Sequence, residues 1–163
     1  MDQDQITRTL QRIPWFRELK PQQLDALAQT ACLRQLTPGE VLFNEGDGED
    51  CLYVILEGEI QVEAHVPGKG PFQVYTADPL DIVGWSVLTP VIRQRTATVR
   101  ALCPSRLICF NSEMLRQLCD EDHDFGYVIM RRVANVVASR MLSTRLRLFE
   151  LINQPDGQPP ADH

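Results

Sequence analysis

Between Cys32 and Phe110 glycine and proline cut the chain at short intervals, and no other feature constrains its fold more. The breaks are Thr37-Pro38-Gly39, Asn44-Glu45-Gly46-Asp47-Gly48, Glu57-Gly58-Glu59 and Pro67-Gly68-Lys69-Gly70-Pro71. Such residues accept the dihedrals of turns and oppose helix continuation. The apolar pieces between them suit strands: Cys32–Leu36, Glu40–Phe43, Leu52–Leu56, Ile60–Val66, Phe72–Thr76, a strand ending near Gly84, Thr96–Ala101 and Arg106–Phe110. Leu52–Leu56 is apolar throughout, whereas Ile60–Val66 alternates, with Ile60, Val62 and Ala64 on one face. Glu57-Gly58-Glu59 reads as a tight hairpin. About eight short strands with turns between them predict a small antiparallel sandwich or barrel.

Helices flank this all-β core. Ile6, Leu10 and Ile13 have helical spacing in the segment from Asp4 to Arg12, which Pro14 ends. Trp15, Phe16 and Leu19 form an apolar knot, and Pro21 opens a second helix through Gln29. Asn111 reads as the N-cap of a helix through Cys119. The cluster Asp120–Asp124 breaks that helix and caps a longer one reaching the neighbourhood of Ile152. On the long helix Met130, Ala134, Val137, Met141, Thr144, Leu148 and Leu151 alternate spacings of four and three, the pattern of a coiled-coil seam. A second stripe, Phe125, Ile129, Val133 and Val136, lies on another face and is expected to pack on the β core. Two apolar faces imply two partners, the helix's own domain and a second copy of the chain. Residues 1–153 are thus expected to form one domain: N-terminal helices over 1–30, the β core over 31–110 and C-terminal helices over 111–153. Residues 154–163 are expected to form a disordered tail, because proline, glycine and aspartate dominate them.

The 163 residues carry a formal net charge of −6, which opposes general binding to DNA or RNA. Arg131, Arg132, Arg140, Arg145 and Arg147 on the last helix are explained by a solvated face or by intermolecular ion pairs. After that helix the sequence has no room for a helix-turn-helix. The polar, acidic N-terminus is not a signal peptide, and no apolar run approaches a membrane span, so a cytoplasmic location is expected, without membrane contact. The five cysteines form no CxxC pair, and the three histidines are scattered, so no metal site is expected. No serine or cysteine has a histidine in an activating arrangement, and no catalytic residue is assigned.

The stretch Asp81–Ala101 holds the candidate site. It reads as a strand end, a glycine turn at Gly84, a short helical turn and a return carrying Arg95 and Thr96. Free amides at a helix start attract anions, and a nearby guanidinium adds charge-assisted bonds, so the pattern suggests a small-molecule phosphate pocket.

From Gln5 to Leu151 the chain resembles the cyclic-nucleotide-binding domain of the catabolite-activator and fumarate-nitrate-regulator superfamily. The likeness rests on the order of elements, on Phe43-Asn44-Glu45-Gly46-Asp47 followed by the run Cys51 to Glu59, and on Gly84 with Arg95-Thr96-Ala97-Thr98-Val99. It implies a double-stranded β-helix or jelly-roll-like antiparallel barrel with a long C-terminal helix. It also implies a phosphate-binding cassette at Gly84, Trp85, Ser86, Val87, Arg95, Thr96 and Ala97, with cyclic AMP, cyclic GMP or another small anion as ligand. In relatives, polar residues partway along the long helix reach the purine. The corresponding positions here are Val136, Val137 and Arg140, with Asn135 and Ser139 nearby.

The departure is Trp85. Relatives that bind cyclic nucleotides have glutamate after this glycine, where its carboxylate accepts from the ribose 2′-hydroxyl. An indole only donates. Losing that charge-assisted bond costs roughly 1.5–3 kcal/mol. The resemblance therefore predicts a regulatory, non-enzymatic module that signals through its C-terminal helix to a second copy or another protein. The alternative is an interaction and dimerisation module of the same fold that binds no nucleotide.

Overall fold

The computed structural model describes residues 3–48, 50–89, 92 and 94–153. Eight strands form two four-stranded antiparallel sheets. One sheet has the order β1 (Ala31–Leu36), β8 (Ser105–Asn111), β3 (Cys51–Glu57), β6 (Ile82–Val83), and the other β2 (Val41–Phe43), β7 (Thr98–Ala101), β4 (Ile60–Val66), β5 (Gly70–Ala77). Leu36, Phe43, Tyr53, Ile55, Ile60, Val62, Val99 and Leu107 fill the space between the sheets. The expected jelly-roll-like β core with flanking helices is the observed architecture.

A second core covers the outer face of the β1-β8-β3-β6 sheet. It joins Leu52, Val54, Ile108 and Phe110 to residues from α1 (Gln3–Arg12), α2 (Pro21–Gln29), α3 (Ser112–Glu121) and α4 (His123–Asn153). β3 and β8 are therefore buried on both faces, which is why their sequences are continuously apolar. β4 buries only Ile60 and Val62, and its sequence alternates accordingly.

Three local expectations change. Glu57-Gly58-Glu59 is not a hairpin, because β3 and β4 belong to different sheets; it is a corner between them. Gly58 makes that corner with φ 98°, and a Cβ there would come within 2.2 Å of Ser105 Oγ. Gly70 and Pro71 lie within β5 rather than in a turn. β5 is an edge strand, where proline's missing N–H leaves no ladder bond unmade. The strand expected from Thr96 begins only at Thr98, because Arg95–Ala97 are occupied in shaping the site.

The helical expectations hold closely. Asn111 Oδ1 accepts from the Met114 amide at 3.0 Å, and α3 runs on to Glu121. Asp122 alone interrupts the two helices, its Oδ1 accepting from the Phe125 amide at 3.0 Å. Phe125, Ile129, Val133 and Val136 are buried in the helix-side core, as the second stripe predicts. Met130, Met141, Leu148 and Leu151 of the other stripe are exposed. Four of the helix arginines form ion pairs within the chain: Arg131 and Arg132 with Glu18, Arg140 with Asp81 and Arg147 with Glu150. No helix among the described residues is long and apolar enough to cross a membrane.

Candidate functional site

The site lies where β6 ends. Gly84 has φ 77° and turns the chain into a single 3₁₀ turn, Trp85–Leu88. The first amides of such a turn have no partner within it. Ser86 and Val87 are buried, and Arg116 Nη1 donates to the Val87 carbonyl at 2.8 Å, tying the turn to α3.

Arg95 enters from the other end of the loop. The turn Asn44–Gly48 positions its backbone: the Arg95 amide donates to the Asp47 carbonyl at 2.9 Å, and the Gly46 amide donates to the Arg95 carbonyl at 2.9 Å. The guanidinium is 2% exposed and stacks 4.2 Å from the centre of the Phe43 ring. Its Nη1 donates to the Gly84 carbonyl at 3.2 Å, and its Nη2 to Asp50 Oδ1 at 3.1 Å and the Cys51 carbonyl at 2.7 Å. Nε is buried without a hydrogen-bond partner among the described residues. Burial also pushes the nearby Tyr53 phenol well above its usual range.

Gly84, Trp85, Ser86, Arg95, Thr96 and Ala97 meet around one cavity, whose remaining wall comes from Phe43, Val62, Tyr75, Val83 and Val99. Its volume is only about 30 Å³. A water occupies about that much of liquid volume, whereas small-molecule sites run to about 300–1,000 Å³. Trp85 is half-buried, packing against the helix-side core while lining the cavity. That space is too small for a nucleotide.

The long helix bears on it indirectly. Arg140 Nη2 lies 2.7 Å from Asp81 Oδ2, three residues before Gly84, and its guanidinium stacks 4.1 Å from the centre of the Tyr75 ring. Burial pushes the Tyr75 phenol up. Of the residues expected to bring the helix to the ligand, Arg140 thus touches the cavity's Tyr75 wall. Val136 is buried in the helix-side core and Val137 packs against it, and neither lines the cavity. Val87 also lies in that core and outside the lining.

Asp50, Phe43 and Tyr53 are the residues that sequence reasoning missed. Their link to Arg95 spans both sheets and a separation of 45 residues for Asp50, so no periodicity marks it. The nearest signal was the Asn44–Gly48 turn, which fixes the backbone that delivers the arginine.

A sequence profile described as the cyclic nucleotide-binding domain matches residues 33–122. A protein of Rhodopseudomonas palustris, provisionally named a potassium channel, is 28% identical over 147 residues, covering 89% of this chain. That match spans 34% of the relative's length, about a third. Among solved structures, a protein from Geobacter metallireducens, provisionally named a cyclic nucleotide-binding protein, superposes with a TM-score of 0.72 at 25% identity, covering 86% of this chain and 98% of the other. A cyclic nucleotide-binding domain from Methylobacillus flagellatus has the same fold, with a TM-score of 0.75 at 21% identity over 91% and 83% of the two chains.

Proposed function

Because this chain belongs to the cyclic nucleotide-binding domain family, we propose that it is a regulatory module that takes a small phosphate-bearing or other anionic ligand between Gly84 and Ala97. Cyclic AMP and cyclic GMP are the first candidates, and the response passes through α4 to a protein partner. The observation that carries this reading is Arg95, a guanidinium buried at the cavity wall that pairs with the Asp50 carboxylate and whose Nε has no hydrogen-bond partner among the described residues. A phosphate replaces that carboxylate with equal or greater negative charge and can accept two parallel N–H bonds.

Binding requires opening. Trp85 has to leave the sugar's side of the cavity, and the Tyr75 wall has to move outward. Arg140 joins Tyr75 and Asp81 to α4, so displacement of either bears directly on the helix. The ligand shifts the population only by its differential affinity for the open state. The helix presents Met130, Ala134, Val137, Met141, Thr144, Leu148 and Leu151 to a second copy or another protein, and its displacement alters how that stripe is presented.

A specific observation favours a second reading. The small cavity and Trp85 at its wall also suit an interaction and dimerisation module that binds no nucleotide. Isothermal titration with cyclic AMP, cyclic GMP, cyclic dinucleotides and inorganic phosphate separates the two. Saturable heat that Arg95→Ala abolishes supports the sensor. No heat with any of them, and no small molecule retained in native mass spectrometry, leaves the interaction module.

A further inference from the structure

Three of the five cysteines gather on neighbouring strands, Cys32 on β1, Cys109 on β8 and Cys51 on β3. Cys32 lies directly opposite Cys109 in the antiparallel register, while Cys51 lies opposite Asn111, two residues along β8. Side chains alternate along a strand, so all three project from one face of the sheet. Cys109 is buried beside Tyr53 in the core between the sheets, whereas Cys32 is exposed because β1 is an edge strand. Burial and the adjoining Cys51 and Cys32 thiols push the Cys109 thiol well up. Among the described residues no group of three ligands could hold a metal ion, so these thiols do not make a preformed metal cage.

Directly opposed residues in an antiparallel pair have Cα atoms about 4.5–5.5 Å apart, inside the roughly 4.4–6.8 Å that a disulfide spans. We propose that Cys32 and Cys109 are an oxidisable pair, which a hydroperoxide, hydrogen peroxide being the simplest, converts to a reversible cross-strand disulfide. The exposed Cys32 thiolate attacks one peroxide oxygen and the O–O bond breaks. Cys32 becomes a sulfenic acid, and the departing hydroxide takes up the thiol's proton as water. The Cys109 sulfur then attacks the Cys32 sulfur, forming the S–S bond, and the sulfenic oxygen leaves as a second water carrying the Cys109 proton. Two thiols lose two electrons in all, and one peroxide gains them. The buried, reluctantly ionising Cys109 makes the second step the slow one. Because β1 is an edge strand it can adjust to the bond, and the exposed Cys32 sulfur remains open to attack by small thiols. The pair is independent of any ligand in the cassette.

Arg34 separates Cys32 from Cys51, and Lys69 separates Cys51 from Cys109, so trypsin places the three in different peptides. The test treats reduced protein with hydrogen peroxide, blocks remaining thiols with N-ethylmaleimide and maps the non-reduced digest by mass spectrometry. The expected product joins the Cys32 and Cys109 peptides with loss of two hydrogens. It should disappear with dithiothreitol, be absent in Cys32→Ser and persist in Cys51→Ser. A dominant Cys51–Cys109 link, Cys32 oxidised to the sulfinic acid without a partner, or free thiols throughout would each overturn the proposal.

Discussion

Gly84 and Arg95 depend on one another. A Cβ on Gly84 would lie 2.4 Å from Arg95 Nη1 and 3.1 Å from the Cys51 carbonyl oxygen, and φ is 77°. The arginine end could swing away if it were free, but bonds to Asp50, Cys51 and Gly84 hold it. Gly84→Ala should therefore lower stability by about 1–3 kcal/mol, the usual cost of a strained backbone position, read as a lower urea midpoint. A midpoint equal to the wild type would show that the guanidinium is not fixed. The neighbouring residue governs ligand choice. Trp85→Glu supplies the missing acceptor and removes a bulky ring from the cavity wall, so cyclic AMP should bind about ten- to a hundredfold tighter than to the wild type, or roughly 1.5–3 kcal/mol. Titration calorimetry giving equal affinities would mean that Trp85 is not at the sugar's position. The sequence displayed Gly84, Trp85 and Arg95 in order but not the guanidinium's inward turn, which depends on partners from β3 and the segment before it.

At the scale of elements, α4 shows how packing overrides propensity. Gly126 lies in its first turns, where alanine would improve helix propensity by about 1 kcal/mol. Yet its Cβ would sit 2.7 Å from the Cys119 carbonyl oxygen on α3. Overpacking costs about 1–3 kcal/mol, and a backbone carbonyl cannot rotate away, so Gly126→Ala should destabilise the protein in a urea titration.

The α3–α4 break carries a pH signature. A hydrogen bond from the Gln23 side chain, then one from the Phe125 amide, holds the Asp122 carboxyl below its ordinary value of 3.8. The unfolded chain therefore takes up this proton more readily than the folded one. Its contribution is complete above the unfolded value and is lost as pH falls through the lower folded value. Denaturation midpoints below about pH 4 should fall less steeply for Asp122→Asn than for the wild type; parallel curves would remove Asp122 from the acid response. Helical spacing revealed both stripes of α4, because neighbours three and four apart share a face. It did not reveal that Arg140 would bind Asp81 and Tyr75.

For the whole molecule, the exposed stripe of α4 is where assembly is tested. Met141 is 63% exposed and Leu148 52%. If the wild-type chain pairs through this seam, light scattering at micromolar concentration should give twice the chain mass, and Met141→Glu with Leu148→Glu should return it to a single chain. A wild type already at the monomer mass would discard the seam.

The sequence by itself determined the elements: about where eight short strands lie, that Leu52–Leu56 is apolar throughout while Ile60–Val66 alternates, where α3 and α4 begin, and that a glycine and an arginine frame one loop. These are local matters, set by turn dihedrals, side-chain alternation and helical periodicity over a few residues. Only the tertiary structure decided that Gly58 turns a corner between sheets instead of closing a hairpin, and that Arg95 bonds to Asp50 and the Cys51 carbonyl. It also placed Cys32 against Cys109 and shrank the cavity to about 30 Å³. Each of these joins residues distant in the chain. Their meeting depends on which strands pair and how two sheets stack, and the repeating pattern of apolar residues is compatible with more than one such arrangement.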